Sequence, residues 1–128
     1  MAIIAKRNTK QQALVIEAIH ALDDHPTAEQ IYLYVRQKNS RISRSTTYRN
    51  LNKLVDSGVI QYVKTPDSGH FEVRIERHYH FVCSICGSIY DVELPYDEKI
   101  DRQVSDALGS EVHLHRTLFE GICSKCKK

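Results

Sequence analysis

His78-Tyr79-His80-Phe81-Val82-Cys83-Ser84-Ile85-Cys86 is the stretch on which the reading of this chain turns. Its second half is a Cys-x-x-Cys pair, and the only other cysteines, Cys123 and Cys126, form a second pair. Each pair makes a tight knuckle that brings two thiolates to one metal. Two knuckles complete a tetrahedral shell with no open position, the pattern of a structural zinc. Such an ion would staple the end of the chain to its middle. Structural disulfides are the alternative, and a reducing cytosol favours metal over them. The first half is His-x-His. In a strand, residues two apart face one side, so both imidazoles project together.

Upstream, Val59 to Lys64 and His70 to Ile75 read as strands, joined by the turn sequence Thr65-Pro66-Asp67-Ser68-Gly69. Before them the apolar period is 3.6. A helix is expected after Thr9 through Leu22, with Leu14, Ala18, Ile19 and Leu22 on one stripe. Thr27 to Gln30 reads as a capping box that opens a second helix to about Lys38, burying Ile31 and Val35. Ser43 or Ser45 opens a third, with Leu51, Leu54 and Val55 inward and Gly58 as its stop. Three helices and a hairpin make a winged helix-turn-helix. Downstream of Arg77, strands at 78–82, 88–94 and 112–119 enclose a helical segment from Pro95 through Leu108, ended by Gly109. The expected fold class is α+β: a winged-helix domain over residues 1–76, then an α/β domain with a four-cysteine zinc site over 77–128.

The 128 residues carry a net charge of only +2, unevenly spread. Residues 1–64 hold 10 Lys/Arg against 5 Asp/Glu, and residues 65–128 hold 8 against 11. Arg36, Lys38, Arg41, Arg44, Arg49 and Lys53 follow one another with no acidic residue between them. Such a field suits a polyanion, and a solvated charged face is the plainer reading. The third helix opens with Arg44, Ser45 and Thr46, then Tyr48 and Arg49. Hydroxyls and arginines suit phosphates, arginine suits guanine, and an aromatic edge packs on thymine methyls. The alternative keeps Tyr48 in the core and the arginines in water. No apolar run is long enough to span a membrane, and Met1-Ala2-Ile3-Ile4-Ala5-Lys6-Arg7 lacks a signal-peptide core. A cytoplasmic protein without a membrane partner is expected.

A second metal site can be assembled around His78 and His80. Glu72 alternates against Phe71 and Val73 and should face away from their apolar side. Asp91 lies on the strand after the first knuckle, and His25 sits in the loop Asp23-Asp24-His25-Pro26. Imidazoles and carboxylates together suit an exchangeable Fe(II), Mn(II) or Zn(II). Hydrogen-bonded structural histidines are the alternative. His113 and His115 repeat the His-x-His spacing on an expected strand, either as another metal site or as surface or interface polar residues. His20 and His70 have no clear partner. No nucleophile elbow, Walker or His-Glu-x-x-His motif occurs. His70-Phe71-Glu72 fits half of a deaminase signature, but Val82 rather than proline precedes Cys83. A small zinc metalloenzyme is therefore a remote alternative, and no enzyme is expected.

These residues resemble the Fur family of metal-dependent transcriptional repressors. The resemblance rests on His25-Pro26-Thr27-Ala28-Glu29-Gln30-Ile31-Tyr32, Thr46-Thr47-Tyr48-Arg49-Asn50-Leu51, His78 through Gly87, and Gly121 through Cys126. It covers nearly the whole chain. It implies a winged-helix DNA-binding domain and a C-terminal dimerisation domain. It also implies structural zinc on Cys83, Cys86, Cys123 and Cys126, and a regulatory Fe(II) or Mn(II) on His25, Glu72, His78, His80 and Asp91. The implied partners are a second copy of the chain and near-palindromic operator DNA; no small organic substrate is implied. Arg77 and Tyr79 stand where iron-sensing members commonly carry further ligands, so the chain is most similar to the peroxide-sensing branch. Glu72 departs from that branch, which often has aspartate there.

Overall fold

The computed structural model describes residues 6–127. The stretch before Lys6, read above for a leader, lies outside them. The chain divides into two compact units, one up to Ile75 and the other from Glu76. Among the described residues, no helix is long and apolar enough to cross a membrane.

The first unit is three helices and a hairpin. Helix α1 runs Lys6–Leu22, α2 Ala28–Lys38 and α3 Arg44–Asp56. Thr9 lies inside α1, so the helix starts earlier than the sequence suggested. Its core stripe is Val15, Ala18 and Ile19, with Leu14 at the margin; Leu22 is exposed. The α2 capping box forms as read: Thr27 Oγ1 accepts from Gln30 N–H at 3.2 Å, and Gln30 Oε1 accepts from Thr27 N–H at 2.9 Å. Ser43, not Ser45, caps α3, its hydroxyl accepting from Thr46 N–H at 3.1 Å. Ile31, Val35, Ile42, Leu51, Leu54, Ile60 and Phe71 close one core with the α1 stripe. The wing pairs β1 (Gln61–Lys64) with β2 (Gly69–Glu72) antiparallel, Tyr62 opposite Phe71. Both strands are shorter than the alternation suggested. A Cβ on Gly69 would meet the Tyr62 ring, which would have to move aside.

The second unit is a three-stranded sheet ordered β4-β3-β5 with one helix. Strand β3 (Tyr79–Cys83) pairs antiparallel with β4 (Ile89–Val92) and parallel with β5 (Leu118–Gly121). Helix α4 (Glu98–Leu108) begins at the Asp97 cap and ends at Gly109, whose φ of 62° is the left-handed stop expected of glycine. The expected strand at 112–119 is a correction. Residues 111–117 are irregular, and the strand begins only at Leu118. Side chains replace a ladder here: Val112 N–H donates to Ser105 Oγ at 3.1 Å, and His115 N–H to the Tyr96 hydroxyl at 2.9 Å.

A buried polar network ties this segment down. His115 Nδ1 donates to Asp101 Oδ1 at 2.6 Å, and the Tyr96 hydroxyl donates to the other oxygen. The Tyr79 hydroxyl donates to His115 Nε2 at 2.9 Å and accepts from Asp97 N–H at 2.9 Å. The Tyr96 hydrogen bond, then the one from His115, hold the Asp101 carboxyl below the usual aspartate range.

Two outcomes follow. Ile31 is fully buried, so Ile31→Ala should lower unfolding free energy by about 2–5 kcal/mol, read as a shifted urea midpoint. Asp101 has a folded pKa depressed below its unfolded value, so its contribution is full above the unfolded pKa and lost as pH falls through the folded one. The stability gap between wild type and Asp101→Asn should be open at neutral pH and close below about pH 4, measured by urea unfolding in excess zinc.

Candidate metal centres

Strand β3 ends in the first cysteine knuckle. Cys83 N–H donates to Ser88 O at 3.0 Å, Gly87 N–H returns to Cys83 O at 2.9 Å, and Gly87 has φ of 75°. The parallel register sets Cys83 beside Gly121, two residues before Cys123. The second knuckle closes with Cys126 and Lys127 N–H groups on Cys123 O, at 3.1 and 2.9 Å. All four cysteines are free thiols, and their Sγ atoms lie within 4.8 Å of one another. Cys86 Sγ is 3.8 Å from Cys123 Sγ. Zinc–sulfur bonds of about 2.3 Å in a tetrahedron impose a sulfur–sulfur edge of about 3.8 Å. The cage thus fits a tetrahedral thiolate-bound metal and excludes the disulfide alternative in this structure.

The backbone prepares the thiolates. Cys83 Sγ accepts from the N–H groups of Ile85, Cys86 and Cys123, each at 3.4 Å. Those of Cys86 and then Cys123 do most to draw its pKa down to about 6. The Tyr90 hydroxyl lowers Cys123 in the same way. Cys126, sharing hydrogen bonds with the other thiols and Cys123 above all, is pushed up to about 12 without metal. Metal binding must therefore displace protons, most firmly from Cys126.

Histidine and carboxylate ligand candidates occur in each unit. In the second, β3–β4 pairing places His80 directly opposite Asp91. His80 Nε2 is 3.4 Å and His78 Nε2 3.0 Å from the same oxygen, Asp91 Oδ1, and the two rings lie 4.3 Å apart. His78 Nδ1 donates to Glu76 O at 2.7 Å. That leaves the Nε2 lone pair facing a carboxylate, an arrangement that calls for a cation, proton or metal, between them. In the first unit, His25 Nε2 lies 3.2 Å from Glu72 Oε1, both side chains buried. Glu72 is at the end of β2 and is buried like its neighbour Phe71. Three successive residues, Asp23, Asp24 and His25, have φ of 50°, 50° and 57°, so the loop is wound left-handed just before the α2 cap.

That loop is tied to the wing. Phe71 N–H donates to Pro26 O at 2.9 Å, and His70 bridges Thr27. His70 Nδ1 donates to His25 O at 2.8 Å, and its Nε2 accepts from Ser68 Oγ at 2.6 Å. His70, which had no partner legible in the sequence, clamps the backbone of His25. Its one signal was its place on the strand that carries Glu72. His113 and His115 do not form a pair. His113 is open to solvent, 3.9 Å from Glu111, while His115 belongs to the Asp101 network.

On α3, Arg44, Ser45, Tyr48 and Arg49 are exposed and Thr46 is half-buried. Tyr48 is not a core residue. Thr46 Oγ1 accepts from Ser43 Oγ at 2.9 Å and from Arg49 Nη2 at 3.3 Å. Arg44 pairs with Glu29 of α2, a partner the sequence did not reveal.

The four-cysteine cage gives a direct test. Cys123→Ser should abolish binding of one metal ion per chain, read by elemental mass spectrometry. Because the metal's binding energy is folding energy of this unit, stripping it with a chelator should cost more than about 5 kcal/mol, above any single core truncation.

Residues 4–119 match the ferric uptake regulator family. The peroxide-responsive repressor PerR of Staphylococcus epidermidis is 30% identical over 123 residues, 95% of this chain and 82% of that protein. The solved ferric uptake regulator Fur of Helicobacter pylori is 26% identical with a TM-score of 0.78, over 93% of this chain and 81% of that one. The Campylobacter jejuni peroxide stress regulator, at 23% identity, shares the fold with a TM-score of 0.76 over 94% and 91% of the two chains. The chain belongs to the ferric uptake regulator family: it is a metal-binding, PerR-like transcriptional regulator, and not an enzyme.

Proposed function

We propose that the chain is a cytoplasmic, metal-dependent repressor that binds operator DNA as a homodimer and releases it when peroxide oxidises a metal-ligating histidine. The observation that carries this reading is the split ligand set: His78, His80 and Asp91 in one unit, His25 and Glu72 in the other. A single regulatory ion held by all five would tie the DNA-binding unit to the dimerisation unit. Such an ion favours the DNA-competent arrangement only by binding it more tightly than the alternatives. Zinc in the four-cysteine cage serves structure alone, since four thiolates leave no open position.

Arg44, Ser45, Thr46, Tyr48 and Arg49 are the proposed DNA contacts, from the first two turns of α3. A dimer presenting two such helices calls for a near-palindromic operator. The second copy has a surface to meet: Ile100, Val104 and Leu108 recur at one face of α4 and remain exposed, as does Phe119 on β5, at an edge of its sheet. The Staphylococcus epidermidis relative is itself named a peroxide-responsive repressor.

Fe(II) at the regulatory site would supply reductive activation of hydrogen peroxide, whereas Mn(II) reacts poorly with it. His25 and His78 are the imidazoles proposed to gain oxygen. An oxidised ring is a poor ligand, so the tie between the units would weaken and the operator would be released. Peptide mass spectrometry on Fe(II)-loaded protein after dilute peroxide should find one added oxygen on the peptide holding His25 or His78, absent from the Mn(II)-loaded control. Unmodified histidines would overturn peroxide sensing and leave a sensor of iron or zinc occupancy, with Glu72 the first residue to exchange for aspartate.

A further inference from the structure

Two of the proposed DNA contacts hang on one carboxylate. Glu29, in the first turn of α2, accepts from Arg44 Nε at 2.9 Å and from Arg44 Nη2 at 2.8 Å, one oxygen each. The Tyr48 hydroxyl donates to the same group at 3.3 Å. The guanidinium carbon stands 4.6 Å from the centre of the Tyr32 ring. Arg44 is the first residue of α3, and Tyr48 lies one turn further along the same face. The hydrogen bond from Arg44 holds the Glu29 carboxyl below the usual glutamate range, so it stays ionised.

Stability does not explain this arrangement. The Arg44 and Glu29 side chains are 54% and 48% exposed, and exposed pairs contribute little. Orientation is what the pair supplies. One edge of the guanidinium is committed to Glu29, and its central carbon lies over the Tyr32 ring. The remaining donors, on Nη1 and the outer side of Nη2, form the second edge of the fork. That edge has the geometry to meet the O6 and N7 acceptors of guanine. An untethered arginine at the same position would be a mobile phosphate contact, carrying no sequence information.

We propose that Glu29 is a specificity-determining positioning residue, which holds Arg44 rigid so that it reads a guanine in the major groove of each operator half-site. This inference rests on the DNA-binding reading of α3 given above. It carries an opposed pair of signs. Glu29 is an anion beside a polyanion, so by charge alone its removal should raise affinity for any duplex. By orientation, its removal should reduce discrimination between duplexes. A residue that served only to fold α2 would lower both.

The test selects duplexes from a random-sequence pool with Mn(II)-loaded wild type, Glu29→Gln, Arg44→Lys and the double variant. The wild type should enrich a two-fold motif with a guanine in each half-site, whose replacement weakens binding about ten- to hundredfold. Glu29→Gln should cut that penalty by about tenfold while its affinity for the unselected pool holds or rises. Arg44→Lys, which cannot form the fork, should lose the same discrimination, and the double variant should lose no more than either single. Thermal unfolding of Glu29→Gln checks its fold, and Arg44→Lys reads the same guanine penalty should Glu29→Gln not fold. A guanine penalty unchanged in Glu29→Gln overturns the inference, as does a parallel fall in selected and unselected affinity, or additive losses in the double variant. If the wild type enriches no sequence, the DNA-binding reading fails and the inference falls with it. Enrichment that ignores Glu29 sinks the inference alone.

Discussion

The pairing register of β3 is the constraint on which both candidate metal centres depend. Alternation along five residues sends Tyr79, Phe81 and Cys83 to one face and His80 and Val82 to the other. One strand thereby serves two sites without mixing their ligands. The antiparallel neighbour β4 brings Asp91 opposite His80, and the parallel neighbour β5 brings Gly121, and with it the second knuckle, beside Cys83. A slip of one residue in β4 would carry Asp91 to the face away from His80. The four-cysteine cage guards the register on the β5 side. A metal held by Cys83, Cys86, Cys123 and Cys126 fixes β5 against β3, and the sheet that results is the frame on which His80 and Asp91 are aligned. The four-cysteine cluster is in this sense the support of the His80–Asp91 pair, although no residue belongs to both.

The wing plays the corresponding part in the first unit. Strand β2 carries Glu72, and two residues earlier it carries His70, whose ring holds the carbonyl of His25. The backbone bridge at Thr27 and the Phe71–Pro26 hydrogen bond complete the tie. Ligand loop, helix cap and wing therefore form one connected element. A change in how His25 is held must be felt at the hairpin and at the start of α2, where Glu29 meets Arg44 of α3.

Much of this was legible in the sequence because it rests on local chemistry. The capping box at Thr27, the knuckle spacing, the Gly109 stop and the His-x-His strand all follow from short-range geometry. Three features were not legible, for one shared reason. The strand expected at 112–119 forms only from Leu118 onward. The backbone N–H groups of Val112 and His115 instead donate to the hydroxyls of Ser105 and Tyr96, 7 and 19 positions away. His70 and Glu29 looked like ordinary polar residues because their partners lie 45 and 15 positions away. In α1, Val15 is buried and Leu22 exposed, although both fit the same helical stripe. Periodicity reports which residues could share a face, and only packing decides how far along the helix that face is covered.

The left-handed run at Asp23, Asp24 and His25 has one further consequence. Left-handed backbone in residues other than glycine costs on the order of 1 kcal/mol each, although aspartate and histidine tolerate it better than most. The loop is thus a compressed spring, latched by the wing on one side and the α2 cap on the other. Were His25 to hold a metal as proposed, losing that bond would remove one of the loop's restraints, and the relaxation that followed would run downhill. A sensor of the kind proposed would need no separate device to drive its release, because the backbone that carries His25 is itself wound left-handed.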